Sequence, residues 1–469
     1  MIRSISAAAL ALAALASPAA AQTPRPDQLA FRDLYKELIE INTTLSSGSC
    51  TAASQAMASR LKAAGFADAD LQVIVPAARP KDGNLVATLK GSDPKAKPIL
   101  LLAHIDVVEA NRADWERDPF KLIEEDGFFY ARGASDDKAQ AAVWTDSLIR
   151  FKQEGFKPRR TIKMALTCGE ETPDTFNGVQ YLIQNHRDLM DAAFVLNEGS
   201  GGRLDAKGNR ISLGIQAGEK VYQDYTLEVT NKGGHSSAPV RDNAIYHLSA
   251  GLSRLGLYDF PVKLNDAVRA NFERMAVIDG GETGKALAAV AKNPADAAAV
   301  AIVAQEPGRN SMMRTTCVAT MVNAGHAPNA LPQRARANVN CRILPGEGVE
   351  ETRLALVKVL GDDAIKVTTV GEPSPVSPPP TLGKSITDPV EKVAAKLWPG
   401  VPLVPVMATG ATDGRFLNAV GIPTYGLTGF FGEPGGNGAH GLNEKMRVRS
   451  LYEGRDFLHE VVKIYATQK

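Results

Sequence analysis

PILLLAHIDVV, residues 98–108, runs apolar from Ile99 to Ala103 and then reads His104-Ile105-Asp106. The apolar run is too short for a membrane span and too continuous for a half-exposed strand, so it predicts a strand buried on both faces of a sheet. Ligands of open α/β sheets gather at the carboxyl ends of the strands, and a period of two puts His104 and Asp106 on the same side of the chain there. A neutral imidazole is a good zinc ligand, and a carboxylate beside it can fix its tautomer. An HxD pair alone is more often a satisfied core histidine, so the reading stands or falls with further ligands.

Those ligands lie downstream. The segment Gly133-Ala134-Ser135-Asp136-Asp137-Lys138 is a small-residue turn before a helical pattern, and Gly169-Glu170-Glu171-Thr172 follows an alternating strand at 161–168. The apolar run 192–196 ends in Asn197-Glu198-Gly199, and His440 stands in the glycine-rich tail GEPGGNGAHGLNE. Each acid alone reads as a solvated side chain or turn former. Their shared placement at strand ends is what points to a site.

On these residues the chain resembles the zinc-dependent exopeptidases and amidohydrolases of metallopeptidase family twenty, among them glutamate carboxypeptidase, aminoacylase-1, carnosinase and carboxypeptidase S. The motifs that carry the likeness are AHIDVV, GASDDK, the GEE triplet, NEG, GGHSSAP, RTTCVATMVNAGHAPNALPQRARANVNCRILPG and ATGATDGRFL, with GAH near the end. It runs from about Leu29 to near the C-terminus, and the stretch 314–346 looks most like carboxypeptidase S. One departure is Ala139, where the family commonly has Gly after Asp-Asp-Lys; it changes no ligand.

The resemblance implies two Zn2+ per chain, with Co2+ or Mn2+ able to replace them. It implies Asp136 as the carboxylate bridging both ions, His104 and Glu198 on one, and Glu171 and His440 on the other. Three protein ligands per ion leave room for water, the open arrangement of a catalytic centre. Glu170 matches the family's general base, and Asp106 would orient His104. Adjacent acids on an extended chain point apart, so Glu170 and Glu171 can share a site only if the chain turns, which Gly169 and Pro173 allow. In the lid, His235, Asn329 and Arg342 match positions that meet the substrate's carbonyl oxygen or free carboxylate, and Arg342 offers a fork that bonds both carboxylate oxygens. The backbone of Gly410 can serve the same carboxylate, whereas Asp413 reads as a turn former.

At 469 residues two domains are the prior. A net charge of +1 with no basic stripe argues against a nucleic-acid partner. Arg3, the apolar run 7–16 and Ala19-Ala20-Ala21 before Gln22 have the three regions of a secretory signal peptide, so 1–21 is set aside and a periplasmic or secreted enzyme is expected, with no membrane attachment after cleavage. Cys50, Cys168, Cys317 and Cys341 do not make a disulfide scaffold in so large a chain; export permits bridges, but the spacing does not fix their pairing.

Strands and helices alternate up to about 219, as in an α/β sheet with helices on its faces. From Val221 the pattern becomes Tyr222, Tyr225, Leu227 and Val229, then a helix with Ile245, Leu248, Leu252 and Leu255, then strands at 315–322 and 335–344. The expected architecture is a di-zinc peptidase-like catalytic domain of 22–219 and 376–469, with an inserted α+β lid and dimerisation domain at 220–375. The alanine-rich part 285–305 reads as helical filler interrupted by Pro294, without chemistry, and the proline-rich run 373–380 as the linker back. The expected function is metal-dependent hydrolysis of the terminal amide of dipeptides, short peptides or N-acyl amino acids, with the lid completing the site either by closing within one chain or through a homodimer. The rival reading, a non-catalytic peptide-binding protein on the same fold, has against it a complete ligand set and an intact Glu170.

Overall fold

A computed structural model describes residues 24–172 and 175–469. The expected leader 1–21 and Pro173 lie outside the described residues. Ile99–His104 is a strand, and every residue in it is buried. Its two faces feed two different cores: Ile99, Leu101 and Ala103 join one, Leu100 and Leu102 the other. That alternation is the physical meaning of the unbroken apolar run.

The strand lies parallel to Ile162–Thr167 on one side and Phe194–Asn197 on the other. Around them a ten-stranded sheet runs in the order Leu71–Ile74, Asn84–Leu89, Ile162–Thr167, Ile99–His104, Phe194–Asn197, Thr424–Gly426, Arg210–Glu219, Gly202–Leu204, Phe431–Gly432, with Leu403–Ala408 pairing Arg210–Glu219 off this path. The larger core gathers side chains from helices Pro26–Glu40, Cys50–Ala63, Lys138–Gln153, Lys384–Leu397 and Val448–Thr467. Helices Gly178–Asn185 and Gly414–Ala419 serve the opposite face through Val179, Leu182 and Leu417. Helix Lys384–Leu397 carries Pro389 inside it. Proline cannot donate to the Ser385 carbonyl four residues back, and the side-chain amide of Gln468 does so instead, at 3.2 Å.

Within 221–369 a separate antiparallel sheet has the order Thr316–Ala324, Arg334–Ile343, Val221–Thr230, Lys366–Thr369. Helices Ala244–Gly256 and Val349–Leu360 close one face over Tyr225, Leu227, Leu248, Val339 and Leu356. Tyr222 falls on the opposite face of its strand from Tyr225 and is 39% exposed, and Ile245 sits at the rim of its helix. The opposite face of this sheet is open, so the strand pattern did not demand that both tyrosines be buried.

The alanine-rich part is more than filler. Helices Asp266–Asp279, Gly281–Lys292, Ala297–Val303 and Pro307–Met313 build a third core, and Leu344, Val404 and Met407 enter it. This segment packs on Leu403–Ala408 of the large sheet. The run 373–380 has no regular structure, as a connection should, although Ser377 is buried.

All four cysteines are paired, Cys50 with Cys168 and Cys317 with Cys341. The second bridge joins facing residues of neighbouring strands, and the first ties the start of helix Cys50–Ala63 to the chain just before Gly169. Among the described residues no helix is long and apolar enough to cross a membrane.

Candidate metal centre

The parallel strands Ile99–His104, Ile162–Thr167 and Phe194–Asn197 end on the same edge of the sheet, which brings His104, Glu170-Glu171 and Glu198 together from segments far apart in sequence. The turn before helix Lys138–Gln153 adds Asp136, and the glycine-rich tail adds His440. Asp136 sits between the two histidines. Its Oδ1 is 3.1 Å from His104 Nε2 and its Oδ2 is 3.2 Å from His440 Nε2. Glu198 Oε1 lies 3.7 Å from the same His104 nitrogen, and Glu171 Oε1 lies 3.0 Å from the same His440 nitrogen. Two overlapping groups, His104-Asp136-Glu171 and His104-Asp137-Glu198, each hold their ligand atoms within 4.8 Å of one another.

The electrostatics fit a cation. Burial first, then repulsion from Asp136, Asp413 and Glu219, pushes Glu198 up to about 8 against the pull of His104. Burial likewise pushes Glu171 up to about 7, and Glu170 stands well above the usual carboxylate range through burial and its neighbour Glu198. For Asp136 burial is outweighed by the two histidines, which hold it low, while its bond to Asp136 lifts His440 to about 9. Carboxylates and imidazoles packed this closely repel or compete for protons until a positive ion joins them, and nitrogen and oxygen donors of this kind suit zinc and its divalent neighbours.

The turn that lets Glu170 and Glu171 share one site is built into the backbone. Gly169 has φ +95°, and a Cβ there would come within 2.2 Å of the Phe176 carbonyl oxygen, so no other residue fits. Asp106 holds the same turn. Its carboxylate accepts the N–H of Glu171 at 3.0 Å and of Glu170 at 3.3 Å. Toward His104 that carboxylate stands 3.7 Å from Nδ1, while the main-chain oxygen of Asp106 is closer, at 3.0 Å. Asp106 therefore meets His104 chiefly through its backbone and spends its carboxylate on the next loop.

Three residues that the sequence reading passed over belong to this region. Asp137, beside the bridging position, is buried against His104 and Glu198, and its Oδ2 has no hydrogen-bond partner among the described residues. Asp413 stands in a turn, as expected, but is buried there and accepts Asn177 Nδ2 at 2.5 Å. Glu444, four residues after His440, is fully buried. It accepts the N–H groups of Gly133, Ser135 and Asp136 at 3.0, 2.7 and 3.0 Å and the Arg132 guanidinium at 3.0 Å. One side chain thus fixes the whole turn that presents Asp136. A lone acid among small residues in the tail was the only trace of it in the sequence.

The expected substrate residues lie elsewhere. His235 and Asn329 come together, since the short strand Gly234–His235 pairs with Ala330–Leu331 and Ser236 N–H donates to the Asn329 carbonyl at 3.0 Å. Both are exposed. Arg342 lies half-buried on Arg334–Ile343, its guanidinium carbon 4.7 Å from the centre of the Tyr222 ring. None of these three borders the cavity of about 990 Å³ that opens beside Asp136, Asp137 and Glu198; Gly410 does.

Comparison with known proteins agrees with this arrangement. Residues 100–464 match Peptidase family M20/M25/M40. The chain is 30% identical over 388 residues to a human protein named N-fatty-acyl-amino acid synthase/hydrolase PM20D1, covering 80% of this chain and 75% of that one. It is 28% identical over 393 residues to probable carboxypeptidase S-like 2 of Dictyostelium discoideum, covering 81% and 74%. In fold it is similar to the M20 family metallo-carboxypeptidase Sso-CP2 from Sulfolobus solfataricus, with a TM-score of 0.69, 19% identity, and coverage of 94% of this chain and all of that one.

Glu444 yields a stability prediction. Glu444→Ala leaves the buried Arg132 and three loop N–H groups without their acceptor, and breaking a buried ion pair from one side costs about 3–5 kcal/mol. Urea unfolding of the variant should show a loss of that order. A loss under about 1 kcal/mol would mean that the loop is held by other contacts.

Proposed function

We infer the function from one premise: the chain belongs to peptidase family M20/M25/M40, and it is a metal-dependent hydrolase. We propose that it cuts the terminal amide of N-acyl amino acids, dipeptides or short peptides. The observation that carries the reading is Asp136, whose two oxygens face His104 and His440 separately, each histidine with its own glutamate. The names of the human and Dictyostelium relatives favour an amide next to a free carboxylate.

In this reading two zinc ions are held, one by His104, Glu198 and Asp136, the other by Glu171, His440 and Asp136, with cobalt or manganese as substitutes. When bound, such ions polarise a carbonyl and acidify water. The remaining work falls to this chain. Glu170 takes a proton from the attacking water and passes it to the leaving amine. Asp106 and Gly169 keep Glu170 and Glu171 turned into one site. Arg342 receives the substrate carboxylate with its planar fork, helped by the N–H of Gly410. His235 and Asn329 stabilise the carbonyl oxygen as it becomes negative. The binding-protein alternative gains nothing from the geometry, because a capture site has no use for a base beside the ligand cluster.

We further propose that 22–219 with 376–469 acts as the catalytic domain and 220–375 as a lid through which two copies pair. Supporting this, the edge strand Thr316–Ala324 carries Val318, Met321 and Val322 at 60, 72 and 67% exposure, beside Tyr246 at 64%. An unpaired edge with exposed apolar side chains suits a partner copy. The exposure of His235, far in sequence from every ligand, fits a residue lent across that interface. The leader pattern of 1–21 supports export to the periplasm or beyond.

Glu170→Gln should keep metal and fold and lose roughly 100- to 10,000-fold in turnover, since proton transfer alone is removed; His104→Ala should instead lower metal content. Hydrolysis of N-acyl amino acids and dipeptides, with metal analysis of each variant, checks this, and Glu170→Gln activity within a few-fold of the parent would sink the assignment. For the shared site, mixing Glu170→Gln with His235→Ala should restore part of the activity that neither has alone. Absence of complementation, with His235→Ala inactive, would leave a lid closing within one chain. N-terminal sequencing of exported protein should begin at about Gln22; material that still starts at Met1 refutes the leader.

A further inference from the structure

A second cavity, of about 370 Å³, opens away from the metal residues, between helix Ala244–Gly256, the end of helix Pro307–Met313 and the first residues of strand Thr316–Ala324. It shares no lining residue with the cavity beside Asp136. Part of its lining is apolar, with Leu255 and Phe260 nearly buried and Leu252 beside them. Another part is polar. Arg314 stands there with its side chain 6% exposed, and among the described residues its one charged partner is Asp259, 3.1 Å from Nη1 and itself 77% exposed. Arg314 Nε and the side-chain oxygen of Asn310 are sealed from water with no hydrogen-bond partner among the described residues. A buried cation with unmet donors is costly, and protein interiors supply such groups with an acceptor.

We propose that this cavity is a binding site for a free α-amino acid with an apolar side chain. The inference goes beyond the hydrolase reading and does not rest on it. Each part of such a ligand has a counterpart in the cavity. Its carboxylate takes the terminal nitrogens of the Arg314 guanidinium, whose planar fork bonds both oxygens and whose one charged partner is mostly in solvent. Its ammonium finds two acceptors, the Asn310 oxygen and the Asp259 carboxylate. Its side chain lies on Leu252, Leu255 and Phe260. The same acceptors repel a wholly anionic ligand such as phosphate, and the apolar lining gains nothing from one. At about 370 Å³ the space falls at the small end of ligand pockets, as a single amino acid requires. Helix Pro307–Met313 gives Arg309 and Met312 to the cavity beside Asp136 and Asn310 to this one, so an occupant here bears on a wall of the metal site. Met321 and Val322 lie outside the cavity, and its occupant leaves that part of the edge strand open to a second copy.

The test is calorimetric titration of the zinc-loaded mature chain with L-leucine, glycine, L-leucinamide and 4-methylpentanoate. Leucine should bind with a Kd of about 1 mM or tighter. The other three should bind at least tenfold more weakly, because glycine lacks the apolar side chain, leucinamide the carboxylate and 4-methylpentanoate the ammonium. Arg314→Met and Gly256→Phe should each weaken leucine binding at least tenfold. Gly256 lines the cavity and a Cβ there meets nothing within 4 Å, so Gly256→Phe fills the space without disturbing the core and keeps the test valid if Arg314→Met fails to fold. Absence of leucine binding overturns the proposal. So does leucine binding that is unchanged in folded Gly256→Phe, which puts the amino acid in the metal cavity, and so does equal affinity for leucinamide or 4-methylpentanoate. Hydrolysis of N-acyl amino acids and dipeptides, measured separately, decides the hydrolase reading and moves with none of these outcomes.

Discussion

Mutual repulsion among buried carboxylates is the constraint around which the molecule is arranged. Asp136, Asp137, Glu170, Glu171 and Glu198 converge at the ends of parallel strands, and burial with like charge drives all but Asp136 upward. A chain left to itself would splay such groups toward solvent. Here they are kept together because further acids are used differently. Asp106 and Glu444 spend their oxygens on backbone N–H groups, one on the turn bearing Glu170 and Glu171, the other on the turn bearing Asp136. The chain thus sorts its carboxylates into those that hold the backbone and those whose oxygens remain for a metal ion.

That sorting explains what the sequence disclosed. Strand Ile99–His104 was legible because burial on both faces demands an unbroken apolar run, and the strand-end rule then located His104, Glu170-Glu171 and Glu198. Resemblance chose Asp136 over Asp137; Asp136 lies between two histidines, and Asp137 stands with His104 and Glu198. The holding acids were much less visible. Glu444 lies 308 positions from Asp136, and nothing local distinguishes a buried acceptor of backbone N–H groups from a solvated acid. Asp106 was noticed for one of its two partners: the period of two that aligned it with His104 says nothing about a loop arriving from a neighbouring strand. Cysteine pairing was hidden for the same reason, since strand adjacency, which sets Cys317 opposite Cys341, is a property of the sheet and not of the spacing.

The antiparallel sheet within 221–369 shows a further limit. Its strands were found by alternation, but alternation identifies two faces without saying which is covered, so Tyr222 and Tyr225 were read together although only Tyr225 is in the core. An open face and an unpaired edge strand leave this part of the molecule with apolar surface exposed, whereas the ten-stranded sheet has a core on each face. His235 and Asn329 belong to the unfinished part. The acids and histidines that face one another are thus all supplied by one chain, whereas His235 and Asn329 stand exposed and do not border the cavity beside them.

The alanine-rich helices protect a sheet edge and line the cavity beside Asp136. Leu403–Ala408 pairs with Arg210–Glu219 and exposes its other edge, a hazard in any open sheet. Pro405 removes one donor from that edge, and Asn271 and Arg274 cap the carbonyls of Pro405 and Leu403 from the side. Capping a strand with helix side chains places the helix against the strand, and the strand ends beside Gly410 at the mouth of the cavity. Whatever segment covers this edge must also become a wall of the site. The fold is shared with Sso-CP2 at 19% identity, and a fold held in common at that distance leaves function to the side chains placed on it.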